Sequence, residues 1–320
     1  MTKPFKSIDD QLNLLLSRGL IFNDQEEAKR YLLTNNYYNV INCYGKFFLN
    51  HSNTYYPNSN FNEIVSIHQF DKEIKNTLFK HIIEIEQHFK SAVSHIFSEH
   101  RSSDSYPYLN PANYENSNIL GVSSYISSLS SIIQNQGGYS HDNSIKHYLN
   151  NHNNVPLWVL CNYMTFGSIV KFYKLMKRNE QNQIAKVMST FLCNNLEITN
   201  IKLTPEQLIS FLDNICELRN GVAHNNKLFR FMCRRNTAHI APLHSIYGIA
   251  ANVPRQDIYN IIIVMQAFLS KFQYAQLHNT ILSRAKTLNK KLSTIGVDDV
   301  LSTLGFPVNW INTTSKRAQD

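Results

Sequence analysis

From Phe61 to about His100 the sequence keeps helical spacing without a break, and no other stretch constrains the fold as much. Ile82, Ile85, Phe89, Val93 and Ile96 fall on one stripe at steps of three and four residues. A helix that long must have its stripe covered by other elements, so it reads as the principal helix of a bundle, with room for a bend. A second helix is marked at its start. Thr204-Pro205-Glu206-Gln207 supplies a Thr N-cap, a Pro at the first helical position and a Gln three residues after the cap. Leu208, Phe211, Leu212, Ile215 and Val222 then recur at helical spacing and give it one apolar face. The expected architecture is all-α: a helical bundle with an N-terminal helical extension and an irregular middle.

The end of that second helix carries the residues best suited to chemistry. In Leu218-Arg219-Asn220-Gly221-Val222-Ala223-His224 an arginine and a histidine stand five apart, with an asparagine directly after the arginine. At about 100° per residue, Arg219 falls inside the apolar arc, roughly 20° from Leu208. Asn220 and His224 stack on an adjoining face. A guanidinium aimed at a core face needs an anion to meet it. Two partners are open: an internal carboxylate such as Glu84, Glu86 or Glu217, or a substrate phosphate. Gly221 is expected to keep the surface beside the pair open. The spacing alone favours a structural ion pair and a satisfied flank histidine, since Arg and His five apart recur by chance.

Composition narrows the classes. Hydrophobic residues make up 43% and charged residues 17% of 320, which fits a folded chain with a large core. A formal charge of +8 and a pI near 9.1 favour a polyanionic partner. The five cysteines, Cys43, Cys161, Cys193, Cys216 and Cys233, are scattered with no C-x-x-C spacing, which argues against a disulfide framework or a zinc site. The most apolar run, Ile258 to Leu269, is broken by Asn260 and Gln266 and is too short to span a bilayer. With no secretory signal pattern at the N-terminus, a cytoplasmic protein without membrane contact is expected.

Several motifs follow one another in an order that resembles a known family. Gln11, Leu14, Leu15, Arg18, Gly19 and Leu20 come first, after Lys3-Pro4. A helix capped at Asp24 and carrying Ala28 follows, and then Tyr37-Tyr38, Ile41-Asn42 and Tyr44. This order resembles abortive-infection proteins of the AbiD/AbiF kind, the Abi-like family. Ile83-Glu84-Ile85-Glu86 with Lys90, and Val155-Pro156-Leu157-Trp158 with Phe166-Gly167, continue the likeness. Glu217 to Phe229 resembles the L-R-N-x-x-A-H-x-x-x-L motif of the HEPN superfamily, α-helical proteins of which many are metal-independent ribonucleases. The sequence departs from the pattern at Cys43, where Gly is usual, at Lys90 (Arg), at Asn162 (Glu) and at Arg230 (Asn).

The resemblance implies a HEPN-type bundle over residues 61–292, preceded by an extension over 1–60 and followed by a tail over 293–320, all in one compact unit. Residues 101–155 are expected to be loop-rich, with one or two short helices, for instance over 119–133. It further implies an endoribonuclease acting in phage defence, with Arg219, Asn220 and His224 as catalytic residues and no metal or other cofactor. An imidazole, with an unperturbed pKa of about 6.5, can move the proton of a ribose 2′-hydroxyl that attacks the adjacent phosphate. Arg219 would stabilise the transition-state charge, and Asn220 would orient His224 or bind a phosphate oxygen. Lys227, Arg230, Arg234 and Arg235 form a candidate RNA-binding cluster. Lys90 and His95 make a K-x4-H that is a degenerate candidate auxiliary pair.

One Arg–His pair is half of a composite site, so a homodimer with facing motif helices is expected, held in check by an inhibitory RNA or a protein antitoxin. His81, His88 and His95 form a column seven residues apart, expected at an interface or in solvent rather than around a metal. Tyr37, Tyr38 and Trp158 are expected as packing residues. Two other functions remain open. One is a non-catalytic RNA- or protein-binding module; the other is a toxin silenced by nucleotide transfer to a tyrosine two residues after the histidine, a position held here by Asn226.

Overall fold

The computed structural model describes residues 5–115 and 118–318; Lys3, Pro4, Asn116 and Ser117 of the sequence reading lie outside them. The fold is all-α, and among the described residues it contains isolated bridges but no strand or sheet. Its axis is α3 (Phe61–Glu99), 39 residues long, or about 58 Å at 1.5 Å per residue. Asn60 caps its start by accepting the Asn62 N–H at 2.9 Å, and Glu63 returns the bond to the cap. Glu63 also accepts the Ser293 and Thr294 N–H groups at 2.6 and 2.8 Å. The start of α3 is thereby tied to a connection more than two hundred residues away in the chain.

Ahead of α3 lie α1 (Ile8–Ser17) and α2 (Gln25–Asn35), joined through Gly19, whose φ of 90° lies in the left-handed region. A π-helical turn over Tyr38–Asn42 follows, then a 3₁₀ turn over Gly45–Phe48. Beyond α3 come α4 (Ile119–Gly137), α5 (Ser144–His152), α6 (Leu157–Leu160), α7 (Phe166–Leu175), α8 (Arg178–Leu196), α9 (Pro205–Ala223), α10 (Ala241–His244), α11 (Ile258–Val264), α12 (Lys271–Asn289), α13 (Val297–Leu301) and α14 (Trp310–Thr313). Helices α6, α7, α8, α9 and α12 pack along α3. One cluster of buried side chains runs from Leu12 through the α3 stripe to Ile311.

The structure corrects two expectations and divides the stretch that starts at Ile258. The helix expected over 119–133 extends to Gly137, with α5 as the second helix of the stretch, so the middle is more regular than a loop-rich segment. It is also packed into the core: the buried Tyr108, Tyr114 and Tyr125 donate their hydroxyls to the Val155, Tyr108 and Ser168 carbonyls at 2.6, 2.6 and 2.7 Å. Trp158 is 55% exposed, and Leu157 and Leu160 do the burying on its short helix. The apolar run from Ile258 is two helices. A 3₁₀ turn over Met265–Ala267 ends the first, and Ser270 with Gln273 forms a capping box that starts the second.

That turn is viable inside the core because its free carbonyls are met. Asn195 Nδ2 donates to Gln266 O at 3.0 Å and Leu269 O at 2.7 Å, and His88 Nδ1 lies 2.8 Å from Phe268 O. Replacing Asn195 with alanine leaves two of these carbonyls unpaired in a buried place, which costs about 1–3 kcal/mol. Urea unfolding of Asn195→Ala measures this. A midpoint equal to the parent's would show that the turn stands without the amide.

Candidate functional site

The motif helix α9 begins as its sequence dictates, with Thr204 as N-cap, Pro205 at its first position and a reciprocal bond between Thr204 and Gln207. Its end is fixed just as firmly. His224 is the C-cap, Asn225 takes a left-handed φ of 55°, and the Asn226 N–H reaches back to Gly221 O at 2.9 Å while the Asn225 N–H meets Val222 O at 2.9 Å. This is a Schellman closure with asparagine in the place glycine usually takes. His224 is therefore held at the lip of the helix, with its ring exposed. Gly221 does not leave an open surface as expected. It is buried, and a Cβ there would stand 3.2 Å from the Phe231 ring.

A buried polar network holds the loop after His224 in place. Asp71 on α3 accepts Leu228 N–H at 2.9 Å and Tyr44 O–H at 2.9 Å, and pairs with Lys75 Nζ at 2.8 Å. Lys75 donates in turn to Asn225 Oδ1 at 2.6 Å. Burial first, and then the Asp71 charge, push the Tyr44 hydroxyl far above its ordinary range, so it serves as a donor. His68 lies against Tyr44 at 5.2 Å between centroids and shares a hydrogen bond with Tyr31 Oη at 2.7 Å. Burial, then the charge of Lys72, holds its imidazole down at about 4.

Beside this network opens a cleft of about 970 Å³, with His224 and Lys227 on one side and the Tyr38–Asn42 turn on the other. Lys46, Lys72 and Lys75 also line it, and among the described residues no carboxylate does. Tyr38 is 64% exposed in this cleft rather than packed, while Tyr37 is partly buried as expected.

The expected site residues separate into groups. Arg219 is half-buried on α9 and is not among the residues lining the cleft. None of the three carboxylates that could have paired with it does so. Glu86 binds Lys90 at 2.8 Å, Glu217 lies 3.7 Å from Arg234, and a buried oxygen of Glu84 has no partner. Among the described residues Arg219 forms no ion pair, and its one side-chain bond is a long one, 3.5 Å, to Asn220 Oδ1. The Asn220 side chain thus meets Arg219, and its link to His224 is the backbone bond from His224 N–H to Asn220 O at 3.1 Å.

Lys227 lines the cleft, and Arg230 lines an adjoining one with Lys46 between them. Arg234 and Arg235 are exposed along the flank of α9, where Glu217 accepts Arg234 N–H and Asn214 donates to Arg235 O. Lys90 is held by Glu86 and by Met164 O at 2.6 Å, and His95 is exposed; neither reaches the cleft. The histidine column is not solvated throughout. His81 is buried with Nδ1 on Thr77 O, and His88 stacks on Phe191.

The family model described as Abi-like protein matches residues 30–230, from α2 through the loop that follows α9. The chain belongs to the Abi-like family. No curated protein and no solved structure matches it. The matched span contains both sides of the cleft, so the Abi-like residues Tyr44 and Asn42 and the motif residue His224 are parts of one place in the fold.

Sequence reasoning missed Asp71, Lys75 and His68. The signal was present: Asp71 and Lys75 are four apart on the face of α3 that also carries Ile67, Ile74 and Leu78, where a stripe should be apolar. Removing one partner of such a buried pair costs about 3–5 kcal/mol. Asp71→Ala is therefore expected to lose that much in urea unfolding, and a loss below about 1 kcal/mol would contradict the role given to Asp71. The unfolded chain protonates His68 near 6.5, whereas the folded chain does so only near 4. Between those values the unfolded state binds more protons, so stability falls as pH drops from about 6.5 towards 4. His68→Gln should flatten this slope between pH 6.5 and 5, above the carboxylate range, leaving the shares of His244, His81 and His278, whose imidazoles burial also holds down. An unchanged slope would exclude His68 as its source.

Proposed function

We propose that this Abi-like protein is a metal-independent endoribonuclease of the HEPN kind, acting in abortive infection. Family membership points to abortive infection as the setting. The observation that carries the nuclease reading is a helix end that holds an exposed imidazole beside a cleft with cations and no carboxylate on its walls. A phosphodiester is the substrate such a place suits, and an RNA strand brings its own nucleophile, the 2′-hydroxyl. His224 takes that proton or returns one to the leaving oxygen. Arg219, whose guanidinium has no acid to neutralise it, meets the charge that grows on the phosphate. The AbiD/AbiF affinity and the HEPN assignment rest on the order of motifs and on Leu218 to His224.

Because Arg219 does not line the cleft with His224, a second subunit is the natural source of the matching guanidinium. The proposed working form is a homodimer with the α9 ends facing, with activity released by loss of an inhibitory RNA or antitoxin. A non-catalytic RNA-binding role uses the same cleft, and one experiment separates the two. Purified protein is incubated with RNA in EDTA, and cleavage is followed for the parent, His224→Ala and Arg219→Ala. Losses of about 10²–10⁴-fold in rate are expected for His224→Ala. Cleavage that persists in both variants, or that EDTA removes, would reject the mechanism.

A further inference from the structure

We propose that the cleft beside His224 binds a single unpaired RNA strand, with Lys72, Lys227 and Lys46 on its phosphates and Tyr38 against a base. This extends the nuclease reading by naming the substrate class and the residues that hold it, and binding can be measured where no cleavage occurs.

Four observations support it. The first is charge. Lys46, Lys72 and Lys227 are exposed in the cleft, and among the described residues none has a carboxylate within ion-pair distance. Lys72 is oriented by Asn35 Oδ1, at 3.1 Å, a neutral partner that leaves its charge unspent. Like charges gathered without counter-charge repel one another, and a polyanion relieves that repulsion while releasing its own counterions. Lys75 belongs to a different class: buried and paired with Asp71, it positions Asn225 and is not free for a ligand.

The second is the chemistry of the remaining wall. Asparagines at 35, 39, 42, 225 and 226 line the cleft. Asn35 and Asn225 are spent on Lys72 and Lys75, and the amides of Asn39, Asn42 and Asn226 offer donors and acceptors, which suits base edges and sugars. The third is Tyr38, an exposed ring at the cleft, whose backbone N–H is fixed by Asn36 Oδ1 at 2.9 Å. An aromatic face and amides meet bases only when a strand is unpaired, because a duplex hides base faces and presents its backbone instead.

The fourth is continuity. Lys46 also lines the adjoining cleft of about 840 Å³, where it and Arg230 outnumber one carboxylate, Asp299, which is bonded to Gly296 N–H, and where Tyr56 adds a second ring. The cationic path is thus longer than one nucleotide needs, which favours a strand over a mononucleotide.

The test uses the parent chain and a short fluorescein-labelled 2′-O-methyl oligouridylate, which lacks the nucleophile and stays intact. Anisotropy is read across a range of KCl concentrations. Each of Lys46→Ala, Lys72→Ala and Lys227→Ala should weaken binding and lower the slope of log K against log[KCl] by about 0.7. Tyr38→Ala should weaken it roughly 5- to 100-fold. Arg284→Ala, a cation on α12 that faces Glu73, is the control expected to bind like the parent. Circular dichroism checks that the variants fold. Affinity unchanged in the three lysine variants would overturn the proposal. So would a labelled RNA duplex, uridine monophosphate or polyglutamate competing as well as the unlabelled single strand. Binding that follows these residues in a chain that never cleaves RNA supports this inference while rejecting the nuclease reading. Cleavage that ignores them does the reverse.

Discussion

The Asp71 carboxylate is the point on which the site's construction rests. It is 1% exposed, and it joins three parts of the chain that are far apart in sequence: Tyr44 from the extension, Lys75 from α3 and the Leu228 backbone from the loop after α9. An unpaired buried carboxylate is costly, so each partner is required, and each brings its own segment to a fixed position. Lys75 passes the constraint to Asn225, and Asn225 completes the left-handed closure that sets His224 at the helix lip. Phe229 reinforces the arrangement by packing edge-on to Tyr44 and Phe47 at 5.7 and 5.4 Å. The extension therefore forms half of the cleft wall and is not an appendage to the bundle.

The parts of the fold that follow from local periodicity were readable. The α3 stripe and the Thr204 start of α9 can both be read from spacing and cap residues. Those features depend on neighbours within one or two turns. What was not readable depends on pairing at long range. The break at Met265 is stabilised by Asn195, some seventy residues earlier, a pairing that helical spacing does not announce. Trp158 has the composition of a core residue, yet its neighbours Leu157 and Leu160 take the inward positions on a helix of four residues. In the site itself, His224 and Arg219 were visible as a motif. The lysines and tyrosine opposite them were not, because they come from separate segments that meet only in the folded chain.

The cleft and the core place opposite demands on the same short stretch of α3. Asp71 and Lys75 are buried and neutralise each other, while Lys72, one residue from Asp71, faces outward with its charge available. Successive residues on a helix point about 100° apart, so one turn of α3 can present a structural pair to the core and a free cation to the cleft. The same division appears on α9. Leu218 and Val222 are buried on one face, and Asn220 and His224 reach solvent on another.

That angular logic bears directly on how the two motif groups can act together. Five residues along a helix amount to a rotation of roughly 140°, so Arg219 and His224 leave α9 in widely different directions. The observed placement agrees: His224 lines the cleft, while Arg219 lies half-buried off it, close enough to Cys216 to act on its thiol electrostatically. A phosphate held against His224 in one subunit therefore lies on the wrong side of the helix for that subunit's own Arg219. In the proposed homodimer, two α9 ends about a twofold axis would offer each imidazole the guanidinium of the other subunit. Arg219 without a carboxylate partner is the state such an assembly requires. A guanidinium already neutralised by Glu84 or Glu86 would have nothing left to offer a phosphate.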